Sequence, residues 1–412
     1  MLLAPYWTAL APAERWVVTH AGVVATDHDA DHADGHEETN GTRNMPRFAA
    51  IGLDHRHIYD LTEGLLAAGA TCVGHDPVTT DPRVLDGFRR RFPDVPSAER
   101  ERLLDDRSID FVVLAAKPSE RADLAIAAMQ RGKDVLTDKP GVTTVAQLEA
   151  IRQTVAETGR IWSICLGRVA SPAVREALRI VRSGEIGRLV HLTHLAPHRL
   201  NRALRPAWFF DTPSYGGIIN DIGVHSIDQF LAFADADDAE IANSTIGAFG
   251  TEPDGFEDFA ELVLQTPSVR GYARVDWFTP DGLPTWGDGR LFAVGTEGTL
   301  ELRKNLDIEG RPGTNHMFVA NRDTTRHVDC SGLPMTYYRD FLADLRDRTQ
   351  TAMPQALVFT ICRLALQAQA TATRFTAMAP TMKTAGGADS PPGNRDGVGH
   401  RRTQVTPRKK ET

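Results

Sequence analysis

The chain has 412 residues, which is enough for two or three domains and a large apolar core. Its hydrophobic fraction of 42% and its charged fraction of 24% lie close to the averages of folded globular proteins. The 54 acidic and 46 basic residues give a net charge of −8, which disfavours nucleic acid as the main partner. No apolar run approaches the roughly 20 residues that a membrane span needs.

The four cysteines are far apart in the sequence and form no C-x-x-C pair. This spacing predicts neither a disulfide framework nor a zinc site built on cysteine. Because free cysteines are typical of proteins in a reducing compartment, we expect the protein to be cytoplasmic.

The two ends of the chain differ in composition from the middle. Between positions 28 and 36, three histidines alternate with acidic residues, which fits either a metal-binding tract or a disordered segment. Residues 378–412 are rich in glycine, proline, serine and charge. Since nothing near either end supplies a packed frame, we predict a disordered extension at 1–44 and a disordered basic tail at 378–412.

In residues 45–166, short apolar segments alternate with amphipathic helical patterns. Strands that are apolar throughout are typical of a parallel sheet whose two faces are covered by helices. The alternation therefore predicts an α/β domain with right-handed crossovers. The predicted strands are 47–52, 70–74, 110–116, 134–137 and 160–166, and the predicted helices are 57–68, 82–92, 103–104, 120–131 and 145–157.

Residues 167–377 have a different pattern, in which polar and apolar positions alternate between glycine turns. This pattern predicts a second, α+β domain with a largely antiparallel sheet that leaves one face open. Because such a face is often covered by another subunit, we expect a homodimer or homotetramer. The predicted strands are 189–195, 241–248, 259–264, 270–278, 291–294 and 299–303, with a hairpin turn at 295–298, and the predicted helices are 172–183, 215–233, 335–348 and 356–374.

The turn after the first predicted strand is the first place to test for nucleotide binding. Against the G-x-G-x-x-G pattern it keeps Gly52, whereas Asp54 and His57 occupy the other two glycine positions. A carboxylate at Asp54 would bring negative charge towards a pyrophosphate. The alternative role of Asp54 is to cap the following helix.

An acidic residue follows the second predicted strand. Asp76 lies 24 residues after Gly52, close to the spacing of the acid that bonds the ribose 2′-hydroxyl of NAD and would repel the 2′-phosphate of NADP. The alternative is a solvated acid in the turn before Pro77. If a dinucleotide binds, Asp76 favours NAD, and NADP is the less favoured cofactor.

Two further motifs are distant from each other in the sequence. Asp138-Lys139-Pro140 follows the fourth predicted strand, and the glycine-rich block at 215–228 contains Asp221 and His225 in a D-x-G-x-H arrangement. With these motifs and the hairpin at 295–298, residues 46–377 resemble the Gfo/Idh/MocA family of NAD(P)-dependent oxidoreductases, which includes inositol and sugar dehydrogenases. The resemblance implies a Rossmann domain at 45–166 and a substrate and oligomerisation domain at 167–377.

The sequence departs from the family pattern at several positions. The glutamate that precedes the lysine in the family is Asp138 here, and the third glycine of the second motif is Ile218. The usual Thr-Pro-Asn is here Lys117-Pro118-Ser119, and the histidine that follows it is Ala122. The cofactor contacts that the resemblance and the turn imply are Gly52, Asp54, His57, Asp76, Ala116, Pro118 and Asp138.

Three residues of the two motifs have the chemistry of a proton-handling site. Lys139 precedes a proline, which holds its backbone extended at the carboxyl end of a parallel sheet, where open α/β folds bind ligands. Asp221 and His225 are four residues apart, so that on a helix they share one face, and the carboxylate can hold the histidine. We predict a catalytic trio in which Lys139 binds a developing alkoxide and His225 removes a proton. The predicted substrate-binding residues are Arg168, Trp208, Tyr215 and Asp228, and no metal is predicted, since no third ligand is spaced to join Asp221 and His225.

These residues support two hypotheses from different classes. The first is an NAD-dependent dehydrogenase that acts on a secondary alcohol, or the matching ketone, of a sugar, polyol or related small polar metabolite. The second is a ligand-binding or regulatory protein on the same fold without turnover, which the altered glycine turn suggests.

Overall fold

The computed structural model describes residues 45–167, 171–251 and 253–376. The predictions made for residues 1–44, for residues 378–412 and for Arg168 lie outside the described residues. Within the described part of the chain, no helix combines the length and the apolar composition that crossing a membrane requires.

The first half of the described chain is built on a five-stranded parallel sheet, which confirms the predicted α/β fold. The sheet order is β2-β1-β3-β4-β5, and each neighbouring pair of strands is parallel. All five residues of β3 are buried, with helices α1 and α4 packed against this strand. The strands are β1 (Arg47–Leu53), β2 (Thr71–His75), β3 (Phe111–Ala115), β4 (Asp134–Thr137) and β5 (Trp162–Ile164), and the helices are α1 (His57–Ala67), α2 (Pro82–Arg91), α3 (Arg100–Asp105), α4 (Arg121–Gln130) and α5 (Val145–Thr158).

Gly52 allows the close approach of β1 to the end of β3. Its φ of +68° lies in the left-handed region, and a Cβ there would overlap with the Cβ of Ala116. The pairing register between β1 and β3 shifts at this glycine. The turn that follows therefore lies at the carboxyl edge of the sheet, beside the residues after β4.

The second half contains a nine-stranded sheet in the order β13-β12-β11-β10-β6-β9-β8-β7-β14. Most neighbouring strands are antiparallel, as predicted, but β6 pairs with β9 and β7 pairs with β14 in parallel. The strands are β6 (Leu189–Pro197), β7 (Glu240–Ala248), β8 (Phe259–Gln265), β9 (Arg270–Asp276), β10 (Arg290–Gly295), β11 (Gly298–Arg303), β12 (His316–Asn321), β13 (Thr325–Asp329) and β14 (Thr373–Thr376), and the helices are α6 (Pro172–Arg182), α7 (Thr212–Tyr215), α8 (Val224–Ala234), α9 (Tyr337–Asp347) and α10 (Gln355–Thr371).

One face of the second sheet is buried and the other is partly exposed. Alternate residues of β8 and β9 are buried, as in Leu262 and Ala273, and helices α8 and α10 contact β6 and β7. On the other face, half-buried residues pair across neighbouring strands in one continuous row. The row consists of Phe318, Glu301, Phe292, Thr193, Tyr272 and Val263.

Candidate functional site

A cleft of about 1070 Å³ opens at the carboxyl edge of the parallel sheet and extends to the second sheet. One wall carries Asp54 and His57 from the turn after β1, and Asp138 and Lys139 from the end of β4. The other wall comes from the end of β6, the segment before α8, and the ends of β10 and β11. Predicted site residues from both halves of the chain therefore meet in one cleft.

Lys139 and Asp221 form an ion pair in this cleft. The ammonium Nζ of Lys139 donates a hydrogen bond of 2.7 Å to Oδ1 of Asp221, and each side chain is only 10% exposed. Burial alone would raise the pKa of Asp221, but the neighbouring Lys139, together with His55 and Arg205, holds it below its usual value. Asp221 is thus an ionised carboxylate that fixes the ammonium of Lys139.

The glycine-rich block that carries Asp221 is not the continuous helix predicted over 215–233. Gly216 and Gly217 adopt φ values of +89° and +87°, which end α7. The chain then makes a π-helical turn over Ile219–Gly223, and α8 begins at Val224. This wide turn and the start of α8 place Asp221 and His225 in the same cleft.

His225 is oriented by the backbone rather than by a carboxylate. The N–H of Gly167 donates a hydrogen bond of 3.0 Å to Nδ1 of His225. Since a backbone N–H can only donate, the neutral ring carries its proton on Nε2. Burial lowers the pKa of His225 well below its usual value, and Lys139 and His198 lower it further. The carboxylate that we expected beside His225 instead bonds Lys139.

Asp138 lies at the centre of a buried polar network. Its Oδ2 accepts a hydrogen bond of 2.9 Å from Arg121, and its two oxygens lie 2.9 Å and 2.8 Å from Nδ1 of His55 and of His57. Burial would raise the pKa of Asp138, but His57, Arg121 and His55 hold it well below its usual range. The ligand atoms of His55, His57 and Asp138 lie within 4.8 Å of one another, a spacing that a metal ion could use. The guanidinium of Arg121 already neutralises the carboxylate and opposes a second cation beside it.

The carboxylate of Asp54 lies at the cleft and is bonded within the protein. Its Oδ1 accepts hydrogen bonds from the hydroxyl of Thr79 and from the N–H and hydroxyl of Thr80, and its Oδ2 accepts one of 3.0 Å from the N–H of Lys117. Helix α1 begins after Arg56 without a side-chain cap, so the cap prediction is wrong. The carboxylate instead ties the turn after β1 to the loops after β2 and β3.

Asp76 is fully buried and ion-paired, so it is not the solvated turn acid that was the alternative prediction. Its Oδ2 accepts a hydrogen bond of 2.7 Å from Nε of Arg100, and its Oδ1 accepts one of 3.0 Å from the N–H of Val78. Both oxygens are thus engaged within the protein, and the side chain is fully buried outside the described lining of the cleft. Three further predicted cofactor contacts are also buried and lie outside the described lining of the cleft. They are Gly52, Ala116 and Pro118.

The predicted substrate-binding residues within the described chain lie beside the cleft or behind it. Trp208 packs against His55, with ring centroids 6.5 Å apart. Tyr215 is buried, and its hydroxyl lies 3.5 Å from Oε2 of Glu257. Asp228 is buried within α8. Among the residues described, none of these three lines the cleft.

Several cleft residues were not found from the sequence. They lie within β6 or in the segments that follow β6, β9 and β11, where neither a motif nor an apolar period marks them. His55 had a local signal, because it precedes His57 by two residues in the altered glycine turn. The cleft residues without such a signal are His194, His198, Arg205, Trp286 and Lys304.

Models of known protein families match parts of both halves of the chain. Residues 88–165 match an oxidoreductase family with an NAD-binding Rossmann fold, and residues 174–301 match the Gfo/Idh/MocA C-terminal domain. The chain belongs to the Gfo/Idh/MocA family. Membership in this family confirms the resemblance and the fold that the two motifs implied.

Three relatives of this Gfo/Idh/MocA protein illustrate how similar the chain is to other members of the family. A crystal structure of a protein from Erwinia carotovora atroseptica SCRI1043, described as an oxidoreductase, is 40% identical in sequence to this chain. The two structures have a TM-score of 0.76, and the match covers 80% of this chain and 99% of that chain. The scyllo-inositol 2-dehydrogenase (NAD(+)) of Bacillus subtilis (strain 168) is 27% identical over 56% of this chain, and the match spans 61% of that enzyme. A levoglucosan dehydrogenase in complex with NADH has a TM-score of 0.65 over 79% of this chain and 97% of that chain, at 16% identity, which is a likeness of fold alone.

Proposed function

We propose that the protein is an NAD-dependent oxidoreductase that interconverts a secondary alcohol and the matching ketone of a sugar, polyol or related polar metabolite. The observation that carries this proposal is the ion pair of Lys139 and Asp221 at the carboxyl edge of the parallel sheet. An ammonium fixed there can bind the substrate oxygen that becomes negative during the reaction. The name of the Bacillus subtilis relative, an NAD(+)-dependent inositol dehydrogenase, supports the substrate class.

Lys139 would hold the proton that moves in the reaction, and a bound nicotinamide would supply or accept the hydride. In reduction, Nζ of Lys139 gives a proton to the carbonyl oxygen. In oxidation, the neutral amine takes the proton from the hydroxyl. The carboxylate of Asp221, 2.7 Å from Nζ, stabilises the ammonium form in both directions.

His225 would donate a hydrogen bond to the substrate rather than remove its proton. Because Nδ1 accepts the N–H of Gly167, the proton of the neutral ring is at Nε2. This tautomer can orient a substrate oxygen, but it gains a second proton only by losing the bond to Gly167. The proposal therefore revises the predicted role of His225 as a proton acceptor.

The donors of the cleft fit a dinucleotide, although not through the contacts that the glycine pattern implied. Lys139 and His225 would lie at the nicotinamide end. The exposed side chain of Arg56 lines the cleft at the start of α1, where its guanidinium would face the phosphates, with His57 beside it. NAD is proposed from the names of the relatives, since Asp76 does not distinguish the two dinucleotides.

Substitution of the lysine tests the oxidoreductase proposal. Lys139→Ala should lower kcat by about 10²-fold or more while calorimetry still detects NAD binding and circular dichroism shows a folded protein. Lys117→Ala is the matched control, because that lysine pairs with Glu120 outside the described lining of the cleft. Turnover that is unchanged in Lys139→Ala would overturn the proposed mechanism.

The contacts of Asp54 and Asp76 favour a second candidate function, a ligand-binding protein without turnover. Both carboxylates are engaged within the protein at positions where a Rossmann fold normally approaches its dinucleotide. Calorimetric titration with NAD and NADP, followed by an NADH assay on a panel of sugars and polyols, separates the two candidates. If neither dinucleotide binds, the oxidoreductase proposal fails and the second candidate remains.

We also expect the protein to be cytoplasmic and to form a homodimer or homotetramer through the open face of the second sheet. The row across this face includes the half-buried side chains of Phe318, Phe292, Tyr272 and Val263, and an apolar surface of this kind is typical of subunit contacts. Light scattering on the purified protein measures the oligomeric state. Phe292→Lys should shift the protein towards the monomer.

A further inference from the structure

Lys304 is held at the cleft wall that the second sheet contributes. Its N–H donates a hydrogen bond of 2.9 Å to the carbonyl of Gly289, and its carbonyl accepts one of 2.8 Å from the N–H of Asn315. The side chain is accessible to solvent through the cleft, and its ammonium lies 4.5 Å from the ring centroid of Trp286. Backbone bonds and an aromatic ring therefore position Lys304.

The ammonium of Lys304 has no anionic partner among the described residues. Its ammonium lies over the ring of Trp286, and no acidic group offsets the lowering of its pKa by the surrounding protein. The nearby imidazoles of His194 and His198 are neutral near pH 7 and add no charge of either sign, because burial lowers their pKa to about 4 and to about 3. A positive charge therefore faces the cleft without a counter-charge.

A second cation lies at the other end of a row of rings. The ring centroid of His198 is 5.4 Å from that of Trp277 and 4.5 Å from that of Trp286. The guanidinium of Arg205 lies 5.1 Å from the centroid of Trp277, and Lys304 lies over Trp286. The row thus carries one cation at each end, and both line the cleft.

The acidic residues of the cleft do not balance these cations. Asp221 is the one acidic residue among the described residues beyond position 170 that line the cleft, and it bonds Lys139. On the opposite wall, Asp138 is paired with Arg121 and Asp81 with Arg83. Asp54 accepts hydrogen bonds from Thr80, and Asp60 is exposed to solvent on α1. The part of the cleft beside the second sheet therefore has an excess of positive charge.

We propose that the substrate carries an anionic group, a carboxylate or a phosphate, that pairs with Lys304. The substrate class is thus an acidic sugar or polyol rather than a neutral one. This inference rests on the proposed function for the reaction, but binding of the anion by Lys304 does not depend on turnover. An ammonium and a carboxylate or phosphate form charge-assisted hydrogen bonds, and the accessible side chain of Lys304 leaves room for them.

Calorimetry with three probes tests the inference. D-gluconate supplies a carboxylate, D-glucose 6-phosphate supplies a phosphate, and D-glucose is the neutral reference. Each is titrated into wild type, Lys304→Met and Arg322→Met. The last variant removes the same charge at an exposed arginine, whose guanidinium lies 3.9 Å from Glu297.

Wild type and Arg322→Met should bind at least one of the two acids about tenfold or more tightly than D-glucose, and Lys304→Met should weaken that acid about 10- to 100-fold. The acid whose binding is weakened in Lys304→Met shows whether the site prefers a carboxylate or a phosphate. The inference is overturned if neither acid binds wild type more tightly than D-glucose, or if Lys304→Met keeps the preference.

The same assays separate this inference from the proposed function. Binding of an acid through Lys304 without any NAD-linked turnover would support the anion site and count against the oxidoreductase. Oxidation of neutral polyols that depends on Lys139, with no preference for acids, would support the oxidoreductase and overturn the anion site.

Discussion

The ammonium of Lys139 and the carboxylate of Asp221 are 82 residues apart in the sequence and 2.7 Å apart between Nζ and Oδ1. The pair joins the carboxyl end of β4 to the π-helical turn before α8, and thus joins the parallel sheet to the second half of the chain. Each side chain is only 10% exposed, so each charge depends on the other for compensation.

Removal of one charge of this pair should lower the free energy of unfolding, and removal of the second charge should partly restore it. Lys139→Met is expected to lower the free energy of unfolding by about 3 kcal/mol, because the carboxylate of Asp221 then stays buried without its cation. The double variant Lys139→Met/Asp221→Asn should be more stable than Lys139→Met alone. Urea unfolding of the wild type, both single variants and the double variant measures the coupling. A double loss equal to the sum of the single losses would contradict a coupled pair.

Gly52→Ala should destabilise the protein more than an ordinary glycine substitution. The φ of +68° strains any residue with a side chain, and the added methyl group would overlap with Ala116. We expect a loss of about 3 kcal/mol in the free energy of unfolding. Gly132→Ala is the control, because its φ is +78° but nothing lies within 4 Å of an added Cβ, so its loss should be about 1 kcal/mol. Equal losses in urea unfolding would show that the contact with Ala116 does not matter.

Stability should fall as the pH falls below about 6.5, the value at which histidines of the unfolded chain become protonated. Burial lowers the pKa of His55 and His198 to about 3 in the folded protein, so between pH 3 and 6.5 the unfolded chain binds more protons than the folded one. Each such histidine should reduce the free energy of unfolding by up to about 1.4 kcal/mol per pH unit over this window, with full stability above it.

Urea unfolding between pH 5 and 7.5 measures this dependence. His198→Asn, which keeps a side-chain donor for the carbonyl of Ala196, should show a shallower slope than the wild type. A free energy of unfolding that stays constant or rises as the pH falls from 6.5 to 5 would be inconsistent with buried neutral histidines.

Asp76→Asn should leave the choice between NAD and NADP nearly unchanged. The carboxylate is fully buried against Arg100, so that removing its charge costs stability but does not alter a contact with ribose. The ratio of kcat/KM for the two dinucleotides should change by less than about twofold, whereas loss of an acid that bonds ribose shifts it by about tenfold or more. A large shift towards NADP in Asp76→Asn would restore the role that the sequence suggested.

Arg56→Ala, by contrast, should raise the KM for the dinucleotide by about tenfold.

Much of the fold could be predicted because its strands carry unambiguous patterns. The buried strand Phe111–Ala115 is apolar at each position, and the predicted bounds of β4 agree with the structure residue for residue. The strands His316–Asn321 and Thr325–Asp329 were missed, since each is short and polar residues interrupt its apolar positions. The helix predicted to reach residue 374 ends at Thr371 because the chain then pairs with β7, a contact that local sequence does not encode.

Part of the predicted site comes together in the structure, although its contacts differ from those expected. Lys139, Asp221 and His225 line one cleft, as their motifs implied. The sequence spacing suggested that Asp221 would hold His225, but the π-helical turn and the position of β4 bring the carboxylate to Lys139 instead. Lys304 could not have been found in this way, because its significance depends on the absence of a counter-charge among residues that are distant in the sequence.

The most direct test of the account is the rate of NADH formation by wild type and by Lys139→Ala, measured with D-gluconate, D-glucose 6-phosphate and myo-inositol at equal concentrations of folded protein. The account predicts NAD-linked turnover of at least one of these compounds by the wild type. In the variant, the rate should be reduced by about 10²-fold or more. Equal rates in the two proteins, or a wild type that binds neither NAD nor NADP, would contradict it.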